Sequence, residues 1–191
     1  MLVSVRIYAI VLLALAACTE AASNKDPVQE AKFQNERRIG EEAVTKRQIR
    51  DAEFVVDAAS RKMLLLEISQ LAVRKATSAD TRYTAQNVTA QTTGLLTTLK
   101  ALAQQKNITL PTGLAETQAT QAGELTGLTG AAFDQEYSKR LRSLLETEED
   151  AADDMKDDAY DPDIRTLAAQ QLTVLQDLGR AAGVLHDKLT P

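Results

Sequence analysis

One cysteine, one histidine and one run of carboxylates are the features of this 191-residue chain whose type and placing suggest chemistry. Cys18 has no second cysteine to form a disulfide with or to share a metal with. His186 stands beside Asp187 and Lys188 near the C-terminus, where an exposed imidazole complements a helix dipole. With no second histidine and no nearby thiol, general acid–base work there lacks a partner. Ser60 and Ser143 have no base in prospect. The run Glu146–Asp163 holds ten carboxylates and the single Lys156. On a helix, Glu146, Asp150, Asp153, Asp154 and Asp157 come close at i+3 and i+4, and such oxygens could gather Ca²⁺ or Mg²⁺. The run lacks the glycine and terminal glutamate of a calcium loop. A solvated, self-repelling face is therefore expected, one that avoids anionic surfaces or meets a basic partner. There is no phosphate loop, no nucleotide fingerprint and no Glu-x-x-His, and with a net charge of −5 there is no basic cluster for nucleic acid.

Around Cys18 the sequence has a definite pattern. Arg6 precedes an apolar run, Ile7–Leu15, too short to serve as a stable membrane span. Leu15-Ala16-Ala17-Cys18 closes it and resembles the lipobox of bacterial lipoproteins. The resemblance implies that residues 1–17 are a signal peptide removed ahead of Cys18, with the thiol carrying diacylglycerol and the new amino terminus a further acyl chain. Several acyl chains hold a protein on a membrane without a spanning helix. Thr19, rather than Asp, follows the cysteine, which implies the periplasmic face of the outer membrane in preference to the inner membrane.

The elements behind this address read as helices. Four prolines, eight glycines, three Phe, four Tyr and no Trp favour long rods with a Leu, Ala, Val and Ile core. Residues 18–26 read as a polar tether. Residues 27–48 read as a charged helical arm that starts at Pro27 behind a capping Asp26. Phe33, Ile39 and Val44 are its apolar points, and Gly40 is a possible break. A stalk and an arm folded over the domain both fit. Residues 49–187 then carry four long apolar stripes. The first helix, Ile49–Ala76, uses Phe54, Ala58, Leu65, Ile68 and Ala72. The second, capped by Ser78, carries Val88, Thr92, Leu95, Leu99 and Leu102 at steps of four and three. Asn107–Gly113 is a turn, and Leu114–Leu125 a short crossover helix. The third helix, Ala131–Tyr160, turns Phe133, Tyr137, Leu141, Leu144, Leu145, Ala152 and Met155 inward. Asp161 and Pro162 start the last. No period-2 strand pattern is present, so the expected fold is all-α: a four-helix bundle with an N-terminal arm.

The chain also carries Asp51-Ala-Glu-Phe54 with Asp57-Ala-Ala59, Leu71-Ala72, Leu99-Lys-Ala-Leu-Ala103 and Asn107-Ile-Thr-Leu-Pro111. Leu128-Thr-Gly-Ala-Ala-Phe-Asp134, Tyr137, Ile164-Arg165 and Leu167-Ala168 follow. In that order, over Asp51–Leu185, it resembles a family of exported bacterial proteins known as a domain of unknown function. Its members are often labelled outer-membrane proteins and regarded as ferritin-like helical bundles. The resemblance implies interior polar groups on all four helices: a Glu at the place of Leu65, a His at Thr92, an Asp-His pair at Leu144-Leu145 and a His at Leu178, with Thr173 standing for a Pro. Here these positions are apolar or nearly so. The resemblance therefore carries the fold without the site. Leu65, Leu145 and Leu178 are expected to form a dry layer, and Thr92 to return its hydroxyl to the carbonyl four residues earlier.

The expected function is that of a non-enzymatic envelope lipoprotein, a structural or interaction module with no cofactor. Its expected partners are the membrane, through the lipid on Cys18, and an envelope protein, with no role for nucleic acid. The alternative is a periplasmic metal- or small-ligand-binding protein that uses the acidic helix 146–163.

Overall fold

The computed structural model describes residues 26–41 and 46–190. The leader 1–17, Cys18, the tether up to Lys25 and Val44 lie outside the described residues. Within them are six helices and no strand: α1 (Pro27–Glu41), α2 (Lys46–Lys75), α3 (Ala79–Gln105), α4 (Glu116–Thr126), α5 (Gly130–Asp158) and α6 (Pro162–Leu189). None is long and apolar enough to cross a membrane.

Helix ends follow from side chains that satisfy the first-turn amides. Asp26 Oδ1 accepts from the N–H of Val28 (2.9 Å) and starts α1. Ser78 Oγ accepts from Thr81 N (3.3 Å) at the start of α3. Asp161 Oδ1 accepts from Asp163 N (2.8 Å) ahead of Pro162 in the first turn of α6. Asn107, at φ 55°, turns the chain out of α3 in the left-handed region, where Asn is tolerated better than most residues. Gly130, at φ 61°, opens α5 where a side chain would be strained.

The four long helices touch in a ring, α2 against α3, α3 against α6, α6 against α5 and α5 against α2. Cross-helix bonds give their directions. Ser69–Tyr137 (3.1 Å) and the contact of Asp51 with Asp161 N (2.7 Å) make α2 and α5 antiparallel. Gln171 to Leu95 O (3.0 Å) and Lys188 to Asp80 (2.8 Å) do the same for α3 and α6. Because α3 and α5 run the same way, the chain between them must travel back along the bundle, and it does so through α4. Gln118 pins α4 to α2 by accepting from Ser60 Oγ (2.5 Å). Arg140 of α5 holds its other side through Glu124 (2.8 Å).

Several boundaries differ from the sequence expectation. α1 ends at Glu41, one residue past Gly40, where a break was expected, and α2 begins three residues before Ile49. α1 lies on α2 as an arm, but it turns Phe33 outward (56 % exposed) and buries Val28, Ala31, Asn35 and Ile39 instead. α5 stops at Asp158 rather than Tyr160, because the Asp51 carboxylate takes the amides of Tyr160 (3.0 Å) and Asp161.

An ion-pair cluster closes the end of the bundle at the α5–α6 turn. Lys106 Nζ lies 2.7 Å from Asp161 and 2.6 Å from Asp163. Burial pulls the Asp161 carboxyl upward, but Lys106 and backbone N–H groups outweigh it and hold the carboxyl below its ordinary value. Asp161, then Asp163, hold the Lys106 ammonium above its own ordinary value. A carboxyl lowered on folding stabilises fully above its unfolded pKa, about 4, and loses that contribution as pH falls through the folded value. A raised lysine stabilises fully below about 10.4 and loses its share as pH rises through the folded value. Lys106→Met should therefore flatten the pH dependence of the urea midpoint at both ends, below about pH 4 and above about pH 10.4. Curves parallel to wild type over both ranges would contradict this linkage.

Candidate functional site

The interior of the ring is divided. One apolar cluster contains Leu65, Val88, Tyr137, Leu145 and Leu178. A second contains Val55, Ala59, Leu99, Met155 and Ile164. Polar side chains lie between them. Lys62 of α2 is 1 % exposed and Glu148 of α5 is 2 % exposed. The Lys62 ammonium donates to Glu148 Oε2, and Arg61 Nε donates to Oε1. On the opposite wall the buried Gln171 of α6 donates to Leu95 O (3.0 Å) and Thr98 Oγ1 (3.3 Å) of α3. All four long helices thus contribute to a buried polar belt. A charge this deep is tolerable only when paired and hydrogen-bonded, and both Glu148 oxygens are engaged.

The positions expected to be dry are dry. Leu65, Leu145 and Leu178 are 0–1 % exposed and share one cluster, while Leu144 is only partly buried. Thr92 departs from expectation: its side chain is fully buried, yet Oγ1 has no hydrogen-bond partner. Nearby Thr89 and Thr93 do bond back to the carbonyls four residues earlier, at 2.8 and 2.7 Å. Thr92 faces hydrocarbon instead and leaves its hydroxyl unsatisfied.

His186 stands in the last turn of α6, as expected, but it is not fully exposed. It lies within α6, partly buried, with Nδ1 3.3 Å from the buried Ser138 Oγ. That hydroxyl donates to Gln135 O (2.8 Å). Ser143 is exposed. The acidic run is not one solvated face, since Glu148 points inward. Glu149 folds over Gly179, where an added Cβ would clash with its carboxylate. Burial, then neighbouring Asp150, pushes the Glu149 carboxyl up, with Arg180 opposing. This carboxylate borders an open groove of about 600 Å³ with Glu146, Asp150, Arg180 and Asp187. Lys156 bridges Asp153 (2.9 Å) and Asp157 (2.7 Å). Among the described residues, no group of three or more His, Cys, Asp or Glu is arranged to hold a metal ion.

Two further constellations hold the belt in register, and they repeat. Asp134, at the start of α5, accepts from Thr77 Oγ1 (2.5 Å) and Ser78 N (2.9 Å) in the α2–α3 turn. Asp51, at the start of α2, does the same for the α5–α6 turn. Arg82 donates to Ala76 O (2.7 Å) and Thr77 O (3.3 Å), and Arg165 donates to Ala159 O (2.5 Å) and Tyr160 O (3.4 Å). Asp80–Lys188 and Asp163–Lys106 close the two ends. Asp51/Asp134, Ala76/Ala159, Asp80/Asp163 and Arg82/Arg165 are all 83 positions apart. The hairpins α2–α3 and α5–α6 are therefore two copies of one clamp related by an approximate two-fold. The signal was in the sequence as Asp51-Ala-Glu-Phe54 against Asp134-Gln-Glu-Tyr137. Lys62, Glu148 and Gln171, absent from the expected core, were also readable: each occupies a core step of its helix stripe.

The belt makes two measurable demands. Lys62→Met or Glu148→Leu alone strands a buried charge and should cost about 3–5 kcal/mol in urea unfolding. The double variant should recover most of that loss, whereas additive losses would exclude a coupled pair. Thr92→Val removes the orphaned hydroxyl at nearly constant volume and should raise stability by about 1 kcal/mol in thermal melts. A destabilisation would mean that the hydroxyl is satisfied.

Neither a curated protein nor a solved structure matches the chain. The family model described as a domain of unknown function (DUF4142) matches residues 37–185, a span that runs from the end of α1 almost to the end of α6 and holds the whole belt. The chain belongs to that family.

Proposed function

We propose that this protein is a non-enzymatic lipoprotein of the bacterial envelope: a ferritin-like bundle, lipid-anchored at Cys18, that works through its surface as a structural or interaction module. The observation that carries the reading is the closed waist. One layer is filled by Leu65, Leu145 and Leu178. In the next, the chain's own Lys62 and Arg61 occupy both oxygens of Glu148. Bundle-centred metal chemistry depends on inward carboxylates and imidazoles left free to bind, and no such free set stands at this waist. The ferritin-like assignment rests on four mutually antiparallel neighbours joined by one long crossover. Outer-membrane placement rests on Thr19 after Cys18.

A second reading, a cation-binding protein using helix 146–163, draws support from Glu149, whose raised carboxyl a cation beside the groove would relieve. Labelled palmitate and membrane fractionation test the first reading. Label and membrane association should be present in the full chain and absent from Cys18→Ala; label that persists in that variant would overturn the tether. Calcium up to millimolar should leave the melting temperature unchanged. A rise that grows with concentration would favour the second reading, because a ligand of the native state must stabilise it.

A further inference from the structure

α1 is held to the rest of the molecule in a different manner from the other long helices. Only Val28, Ala31 and Ile39 of its apolar side chains are buried. Polar attachments are added to these. Asn35, 2 % exposed, reads the backbone of Thr109 with both ends of its amide: Nδ2 donates to the carbonyl at 2.8 Å, and Oδ1 accepts from the N–H at 2.8 Å. Lys32 bridges to Asp57 of α2 at 2.7 Å. Asp26 joins two helices at once. Oδ1 accepts from Val28 N and from Gln29 N (3.2 Å), while Oδ2 accepts from Glu116 N (3.0 Å) at the start of α4. Beside these fasteners the fit is loose. A groove of about 340 Å³ stays open between α1 and the segment before α4, bordered by Glu30, Gln34, Leu110 and Thr112.

We propose that α1 is a strap that docks and undocks as one unit on α2 and the 107–115 segment, with Asn35 and Asp26 as its fasteners, while the bundle stays folded. A helix with so little buried hydrocarbon opens at a lower free energy than the elements it covers. Its docked population then responds to substitutions at Asn35 and Asp26, whose bonds to Thr109 and Glu116 cross to the bundle side. Undocking uncovers the apolar surface shared with Val55, Ala59 and Ile108, which α1 covers when docked. Both fasteners precede the residues that the family model matches, while the end of α1 with Ile39 lies within them.

Amide hydrogen exchange on the full chain tests this. In wild type, α1 amides should exchange at least about a hundredfold faster than the core amides of α2 and α5. Asn35→Ala should speed α1 by a further factor of about ten and leave core amides unchanged, which also certifies that the variant folds. Asp26→Ala should release the amides of Val28, Gln29 and Glu116 together. The proposal is overturned if α1 exchanges at the rate of the core in wild type. It is equally overturned if Asn35→Ala accelerates α1 and core in proportion or changes neither, or if Glu116 keeps its protection in Asp26→Ala.

Discussion

A lysine ammonium held away from water dictates much of this structure. Lys62 is enclosed by its own bundle, and only Glu148 makes that enclosure tolerable. The pair sits where α2 and α5 face each other, so these helices cannot slide without separating the charges. A slip of two turns would bring Lys62 opposite Leu141 or Met155, both buried apolar side chains, and strand two charges in hydrocarbon. An uncompensated buried charge costs several kcal/mol, a large share of a typical folding free energy. The leucines around it supply most of the burial, yet they discriminate weakly between registers, because one leucine meets another much as well as the next. Burial thus stabilises the bundle, and the ion pair selects its alignment.

The ends of the bundle obey a symmetry that the waist breaks. Asp51 and Asp134, and Arg82 and Arg165, are counterparts under one two-fold operation of 83 positions, and the bridges Asp80–Lys188 and Asp163–Lys106 follow it to within one residue. Shifted by the same 83 positions, Lys62 maps onto Leu145 and Glu148 onto Leu65. The image of the ion pair is thus the leucine pair. On the other wall Gln171, which reaches across to Leu95, maps back onto Val88, and Leu95 maps forward onto Leu178. One side of the pseudo-axis is polar and fully bonded, the other is dry. A symmetric frame with an asymmetric centre distinguishes the two hairpins, which two identical all-leucine faces would not do.

Much of this fold was legible in the sequence. Period, caps and breakers place the long rods to within a few residues, since Ser78, Asp161 and Asp26 are strong amide acceptors at the right steps. The dry positions at Leu65, Leu145 and Leu178 were also legible. What escaped is the polarity inside. Lys62 stands on the stripe with Val55, Ala58, Leu65 and Ala72, and Glu148 on the stripe with Leu141, Leu145, Ala152 and Met155. Each is set aside when a stripe is drawn from apolar residues alone, although position on the stripe decides burial. Glu148 was further disguised by its neighbours, because nine other carboxylates in the run invite a reading of uniform solvation. Thr92 misled for a different reason. Back-bonding to the preceding turn depends on a hydroxyl rotamer that packing sets, and spacing does not encode it.

The surface follows from the same division of labour. With the waist closed by leucine on one side and by paired charge on the other, the elements that take no part in that closure lie outside the ring. There the three structural additions differ in how they are attached. α4 is tied from both sides, by Gln118 to α2 and by Arg140 from α5, and so behaves as part of the bundle wall. The acidic flank of α5 is fixed by the helix that carries it, and its inner carboxylate, Glu148, belongs to the core. α1 joins the second apolar cluster through Val28, Ala31 and Ile39 and adds polar contacts from Asp26, Lys32 and Asn35 at its edge. An element with few buried contacts has the lowest opening free energy in a structure. In this molecule α1, the first of the described helices, is such an element.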